Sequence, residues 1–186
     1  KSYAYEGSAR VPLIVRPPID QRGFASTRES TANLETVDRL PFPHNVELEH
    51  LAGLEDIMPT LLDAAGLPTP ETVEGRSLMP LVNGRDVAWR DYYHIEHAPC
   101  YHPENAHQTL TDGRWKYIWN PITGDEQLFN LEHDPNERDD LAAKEGSEGE
   151  IAKWHSRLAR LLEQRPEGLS DGQRLTPGRI PAWRGN

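Results

Sequence analysis

An Asp112-Gly113 pair constrains the fold of this chain more than any other feature of the sequence. It separates segments 107–111 and 114–119, in which threonine, isoleucine and aromatic residues are frequent. An Asp-Gly pair between such segments favours a two-residue type I′ turn, because both central residues of that turn need positive φ. The pattern therefore predicts an antiparallel β-hairpin.

Two further strands and one helix are predicted around this hairpin. Segments 90–96 and 127–131 have the composition and alternation of strands. Segment 148–162 has apolar residues at helical spacing. These apolar residues are Ile151, Trp154, Leu158, Leu161 and Leu162. The C-terminal half is therefore predicted to be a small antiparallel sheet with one packed helix.

Three aromatic residues, Trp115, Tyr117 and Trp119, alternate along the second hairpin segment. Side chains at alternate positions of a strand share one face of the sheet. We favour packing of this face against the helix that carries Trp154. Stacking of the rings on a sugar is the alternative interpretation.

The N-terminal half has a different pattern. Residues 11–15 form a short apolar run that predicts a buried strand, of the kind found in parallel sheets covered by helices. Residues 19–45 are polar and without period, which predicts a long loop. A helix is predicted over 56–66, with Pro59 in its first turn, and a helical turn over 77–82.

The fold class predicted from these patterns is α/β, with an α+β arrangement in the C-terminal part. We predict three parts along the chain. Residues 1–84 are the end of an incomplete α/β domain, residues 85–165 are a sheet-plus-helix subdomain, and residues 166–186 are an irregular tail rich in proline and glycine.

Composition excludes several classes of function. The chain has 186 residues, with 20 lysines and arginines against 30 aspartates and glutamates, and a formal net charge of −10. So negative a surface argues against nucleic-acid binding, which needs clustered basic residues. No apolar stretch approaches the roughly 18 residues that a membrane span needs. Cys100 is the single cysteine, which excludes a disulfide framework within the chain.

Five short segments carry a pattern that is more specific than composition. They are KSYAYEGSARVP at 1–12, DIMPTLL at 56–62, GRSLMP at 75–80, LTDGRWKY at 110–117, and EQLFNL at 126–131 followed by DPNE at 134–137. In this order they resemble the C-terminal portion of the sulfatase family, within the alkaline phosphatase superfamily. The resemblance covers roughly residues 1–143. It implies hydrolysis of an organic sulfate ester to an alcohol and sulfate, and an edge of an alkaline-phosphatase-like α/β sheet.

The resemblance also indicates what this chain lacks. Sulfatases carry a Cys/Ser-x-Pro-x-Arg motif whose first residue becomes formylglycine, and aspartates that bind calcium. Neither set is found here, and Cys100 is not followed by the required proline and arginine. We therefore expect a fragment with no cofactor of its own, inactive without the remainder of the catalytic domain. Calcium and formylglycine are expected in the intact enzyme. Its location stays open, although family members are often periplasmic or secreted.

Lys1 is the catalytic candidate. The resemblance implies that this lysine contacts the sulfate group, where an ammonium stabilises developing negative charge. From the residue alone, a solvated terminal lysine is the simpler interpretation.

Glu6 and Arg10 have two interpretations. In one, Glu6 is a metal ligand and Arg10 clamps the sulfate group. We favour the other, in which the two form a buried pair that fixes the turn.

A histidine-rich stretch is the second candidate site. Alternation places His94 and Glu96 on one face of the predicted strand and His97 on the other, with His107 further along the chain. A zinc site, a rim that selects the substrate, and ordinary hydrogen-bonded histidines all stay open. The rim interpretation gives four substrate-binding candidates, His97, Glu96, Tyr101 and His102.

Two alternatives to a sulfatase fragment remain. One is a phosphonate or phosphate ester hydrolase of the same superfamily. The other is a stand-alone module, acidic and rich in aromatic residues, that binds a glycan or a protein. A Cys-x-Pro-x-Arg motif encoded upstream of Lys1 would support the sulfatase class, and its absence would contradict it, whereas the preference for sulfate or phosphate stays open.

Overall fold

A computed structural model of the chain describes residues 3–16, 46–99 and 102–178. The chain forms two compact units. One unit is Pro12–Arg90, and the other combines Lys1–Val11 with Asp91–Asn186.

The larger unit is built on a four-stranded antiparallel sheet. Its strands are β1 Tyr93–His97, β2 His107–Thr111, β3 Trp115–Trp119 and β4 Glu126–Asn130. They lie side by side in chain order, with β1 and β4 at the edges. A helix, α4, spans Glu148–Leu162. The predicted fold class is thereby confirmed for the described part of the chain.

Helix α4 packs on one face of this sheet. Trp154, Leu158 and Leu162 are fully buried against Tyr117 and Trp119 of β3. The alternating aromatic side chains thus belong to the core, as the favoured interpretation predicted. The predicted apolar stripe was too wide by one residue, since the Leu161 side chain is 40% exposed.

The turn between β2 and β3 differs from the prediction. Strand pairing matches Thr111 with Lys116, and the Asp112 N–H donates to the Trp115 carbonyl, so the two turn residues are Gly113 and Arg114. Of these only Gly113 has positive φ, at 86°, whereas a type I′ turn needs positive φ at both central residues. The cause is local. The Asp112 carboxylate accepts the backbone N–H groups of Arg114 and Trp115 and so serves as the turn's cap.

The opposite face of the sheet holds a smaller apolar cluster. Ile118 and Phe129 are buried there together with Ala4 from the start of the chain. The segment after Ala4 forms a single turn of helix, α1, over Glu6–Ala9, with no buried residue of its own. This contact brings the N-terminal segment of the chain onto the sheet.

The unit Pro12–Arg90 contains the two predicted helices of the N-terminal half. A 3-10 turn over Leu54–Asp56 leads into α2 over Ile57–Ala64, and α3 spans Met79–Val82. Helix α2 ends before Gly66, whose φ of +72° turns the chain away.

Asp56 is fully buried and holds this unit together. Its two carboxylate oxygens accept hydrogen bonds of 2.7 Å from the two terminal nitrogens of Arg90. They also accept the backbone N–H groups of Gly53 and Arg76. Burial alone would raise the pKa of the Asp56 carboxyl, but Arg90 and the two backbone donors outweigh it and lower the pKa. We call Asp56, Arg90, Gly53 and Arg76 the Asp56 cluster.

Gly75 makes this cluster sterically feasible. A Cβ atom at this position would lie 2.0 Å from the carbonyl oxygen of Glu55, so the close approach of the two chain segments requires glycine. Nearby, the Thr60 hydroxyl accepts the Leu78 N–H at 2.9 Å. The two sequence motifs at 56–62 and 75–80 therefore form one interlocked structural element.

One predicted strand is absent. Residues 11–15 have no regular secondary structure and are exposed, with Ile14 at 86%. A strand buried in a parallel sheet needs neighbours on both sides, and no described strand of this chain pairs with this segment. The whole of the predicted loop over 19–45 lies outside the described residues. Within the described residues, no helix is both long and apolar enough to cross a membrane.

Candidate functional site

The catalytic candidate and one rim candidate, Lys1 and Tyr101, lie outside the described residues, as does Cys100. What the structure does describe is the segment that follows Lys1 and the strand that carries the histidines.

The N-terminal segment is attached to the sheet by Lys116 of β3. The Lys116 side chain is fully buried, and its Nζ atom lies 2.6 Å from Glu6 Oε1, 2.9 Å from Glu137 Oε1 and 3.0 Å from the Ala4 carbonyl oxygen. An ammonium has three N–H donors, and these three oxygens match them. We call Lys116, Ala4, Glu6 and Glu137 the Lys116 cluster.

Glu137 also binds the N-terminal segment directly. Its other carboxylate oxygen accepts the backbone N–H of Glu6. Glu137 also has a φ of 53°, an uncommon backbone conformation for a residue with a side chain. Its side chain is only 3% exposed. The turn after β4 is thus shaped to present one carboxylate to both Lys116 and Glu6.

The expected pairing of Glu6 with Arg10 was therefore wrong in its partner. Glu6 has a structural ion pair, as the favoured interpretation held, but the cation is Lys116. Arg10 is exposed. The sequence pattern could not reveal this, because Lys116 lies more than a hundred residues away.

His97 and His107 form a stacked pair across β1 and β2. The ring centroids are 5.7 Å apart and the ring planes differ by 19°. Burial, and after it the neighbouring His97, His94 and Lys116, together lower the pKa of His107 to about 4. The Nδ1 atom of His97 is buried and has no hydrogen-bond partner among the described residues.

The other members of the histidine stretch have structural partners or are exposed. Glu96 forms an ion pair with Arg165 beyond α4. His94 Nε2 lies 2.7 Å from Gln108 Oε1, and burial lowers the pKa of its imidazole. His102 is exposed. Three of the four rim candidates lie in the described residues, and of these His97 is the one that stacks on a second imidazole.

A groove of about 450 Å³ runs beside the N-terminal segment. Tyr3, Tyr5 and His107 are among the residues that line it, together with Glu126 and Gln127 of β4. The Tyr3 and Tyr5 rings are stacked 6.4 Å apart, and the Tyr5 hydroxyl donates to Gln127 Oε1. The groove thus brings the start of the chain close to one of the two stacked histidines.

A second hydrogen-bonded group, not predicted from the sequence, is formed by Tyr117, Glu126 and His155. The Tyr117 hydroxyl donates to Glu126 Oε1, and His155 Nδ1 lies 2.7 Å from the same oxygen. Burial and the Glu126 carboxylate raise the pKa of Tyr117. These contacts join α4 to the sheet, and no signal in the sequence links the three residues.

The described residues do not form a metal site. They contain no group of three or more histidine, cysteine, aspartate or glutamate side chains placed to hold an ion. The zinc interpretation of the histidine stretch is therefore not supported within residues 3–16, 46–99 and 102–178, and the calcium that the resemblance implies has no described ligand set here.

Comparison with known proteins identifies the class. Residues 1–164 match the family described as N-sulphoglucosamine sulphohydrolase, C-terminal. An arylsulfatase of Clostridium perfringens is 35% identical over 178 residues, which cover 96% of this chain and 33% of that protein. A choline-sulfatase of Rhizobium meliloti is 33% identical over 141 residues, covering 74% of this chain and 22% of that protein.

Solved structures agree with the fold. A 2-O glycosaminoglycan sulfatase is 25% identical and has a TM-score of 0.52, covering 59% of this chain and 24% of that one. A phosphonate monoester hydrolase of Agrobacterium radiobacter has a TM-score of 0.52 at 24% identity, covering 63% of this chain and 26% of that one. The latter likeness concerns the fold alone.

The chain therefore belongs to the sulfatases of the alkaline phosphatase superfamily, and the matched family is that of their C-terminal domain. It spans about a third of the length of the Clostridium perfringens arylsulfatase.

Proposed function

We propose that this chain is the C-terminal part of a sulfuric ester hydrolase that cleaves an organic sulfate ester to an alcohol and sulfate. The observation that carries the proposal is the N-terminal segment of the matched region, which two carboxylates and the buried Lys116 hold against the sheet. Three peptide bonds separate Lys1 from the anchored Ala4. In this proposal Lys1 stabilises negative charge on the sulfuryl oxygens of the transition state.

The nucleophile and the metal belong, in this proposal, to parts of the enzyme outside this chain. Calcium and formylglycine would supply Lewis-acid and nucleophilic chemistry there. The contribution of this chain is one charged donor and a set of residues that select the substrate. The proposed selecting residues are His97, Glu96, Tyr101 and His102, because the end of a strand and the loop after it often determine substrate selectivity.

The test is steady-state kinetics of the complete enzyme on two unlike sulfate esters, with a phosphonate monoester as a third substrate. Lys1→Ala should lower kcat on every sulfate ester by roughly 10²-fold or more, because the lost charge acts in the transition state. His97→Ala should change mainly KM or the ranking of substrates, because a rim contact binds ground and transition states similarly. The isolated 186-residue chain should show no turnover.

Several outcomes would contradict the proposal. A kcat near wild type in Lys1→Ala removes the catalytic role of Lys1. Loss of all turnover in His97→Ala moves His97 into the chemistry. A kcat/KM higher on the phosphonate than on either sulfate ester favours the phosphonate hydrolase. Turnover by the isolated chain would show that its own residues suffice. Tight binding of a glycan or a protein by the isolated chain, with an inactive complete enzyme, would favour the binding module.

A further inference from the structure

The Lys116 cluster holds a charged ammonium group in the interior of the larger unit. Lys116 has no exposed side-chain surface, so its ammonium has lost its hydration entirely. A buried charge persists only when partners replace the lost water. Lys116 meets this requirement with two carboxylates and one carbonyl, and two of its three partners, Ala4 and Glu6, belong to the N-terminal segment.

The N-terminal segment has little else to fix its position. Helix α1 is four residues long and buries none of them, and a Cβ atom at Gly7 would meet nothing within 4 Å. Helices this short are unstable by themselves. Two apolar contacts hold it, the buried Ala4 side chain and the Tyr5 ring, which packs edge-on against Phe129 at a centroid distance of 6.0 Å. Its polar contacts are the Tyr5 hydroxyl bond to Gln127 and the bonds to Lys116 and Glu137.

We infer that Lys116 is a positioning residue: by fixing Ala4 and Glu6 it supports the catalytic role that the proposed function gives to Lys1, rather than only the stability of the fold. The inference rests on the proposed function. A shift of about 1 Å at a catalytic group lowers the rate by as much as 10²-fold, so a defect in the anchor should appear in kcat. Lys116 has no role in the chemistry itself and acts through the segment that precedes Glu6.

The decisive experiment is a double-mutant cycle between Lys1→Ala and Lys116→Met in the complete enzyme. Lys116→Met keeps the length of the side chain and removes its charge. We expect it to lower kcat at least 10-fold with a smaller change in KM. If Lys116 acts through Lys1, the same substitution should change kcat less than 2-fold when Lys1 is already alanine.

A matched control separates positioning from general loss of stability. Leu158 is also fully buried, but it packs with α4 on the other face of the sheet. Leu158→Ala should destabilise the fold while leaving kcat within about 2-fold, measured at a temperature where every variant is folded by circular dichroism. Glu137→Gln is the milder cluster variant, used if Lys116→Met does not fold. It should lower kcat by several-fold and show the same dependence on Lys1.

The outcomes distinguish this inference from the proposed function. If Lys1→Ala leaves kcat unchanged, the proposed function loses its catalytic lysine and the inference fails with it. If Lys1→Ala lowers kcat but Lys116→Met costs the same factor with and without Lys1, the proposed function stands and positioning is refuted. An equal loss of kcat in Leu158→Ala also refutes it, because any destabilisation would then suffice.

Discussion

Among the residues that the structure describes, each unit has one charged residue with no exposed surface, Asp56 in one and Lys116 in the other, but the two charges are balanced differently. The Asp56 carboxylate meets a single cationic group, the Arg90 guanidinium, and two neutral backbone donors. Lys116 meets two carboxylates, so the Lys116 cluster carries a net charge of −1.

The sequence distances differ as well. Asp56 and Arg90 are 34 residues apart, and every member of the Asp56 cluster lies between 53 and 90. Lys116 and Ala4 are 112 residues apart. A cluster closed over a short loop chiefly stabilises its own unit. A cluster that fastens a distant segment, one with little core of its own, determines where that segment lies. Two equally buried charges therefore have different roles in this protein.

The largest effect on stability is expected at Asp56. It tests whether the Asp56 cluster chiefly stabilises its own unit. Asp56→Ala leaves the Arg90 guanidinium, which is 12% exposed, without its main carboxylate. Removing one partner of a buried pair typically costs about 3–5 kcal/mol. Hydrogen exchange of peptides from residues 53–90 should accelerate accordingly, while peptides from β2 and β3 change little.

The control for Asp56→Ala is Asp63→Ala. Asp63 accepts a hydrogen bond from the Ser77 hydroxyl in a more exposed setting, so its loss should cost about 1 kcal/mol. Equal acceleration of exchange in both variants would show that the Asp56 cluster does not hold its unit together. Acceleration in β2 and β3 as large as in 53–90 would show that stabilisation is not confined to one unit.

His107, whose pKa Lys116 helps to lower, gives the next largest effect. Its folded-state pKa of about 4 lies below its ordinary value of 6.5, so between these values the unfolded chain binds more protons. Stability should therefore fall as the pH drops from 6.5 to 4, by about 3 kcal/mol for the full displacement. Urea unfolding followed at several pH values measures this loss. His107→Gln should remove most of the slope.

The exposed His133 provides the matched variant for His107. His133→Gln should leave the slope between pH 6.5 and 4 as it is in the wild type. If His107→Gln also leaves it unchanged, the imidazole is not held neutral by burial and by its cationic neighbours. In that case the Lys116 cluster would not extend its electrostatic influence to the histidine pair.

The sequence predicted the parts of the fold that depend on local periodicity. Strand 107–111 and helix 148–162 were predicted at their observed bounds, because alternation and helical spacing are local patterns. The type I′ turn was wrong because the Asp112 side chain caps the turn, which moves the turn by one residue. The strand over 11–15 was wrong because its burial needs a neighbouring strand that the described residues do not provide.

The candidate site was less predictable than the fold. Lys116 sits between aromatic residues on β3, and alternation alone marks it as an ordinary residue of the other face. Its partners come from the start of the chain and from the turn after β4, so only the folded chain reveals the cluster. The roles of Lys1 and Tyr101 stay predictions, since the structure does not describe them. His97 was singled out by residue type, but its stacking on His107 depends on the register of β1 with β2.

The smallest effect is expected at an exposed ion pair, which sets the lower end of the comparison. Arg114 Nε lies 2.8 Å from Glu132 Oε2, but the two side chains are 62% and 55% exposed. Water and salt screen such a pair, and its geometry must be maintained against side-chain entropy, so it contributes under about 0.5 kcal/mol. Arg114→Ala should thus change the free energy of unfolding by less than this amount in urea titrations. Glu132→Ala is the matched variant, and a double-mutant cycle isolates the coupling between the two residues. A coupling above about 1.5 kcal/mol would contradict the prediction, because geometry rather than burial would then decide how strongly charges stabilise this protein.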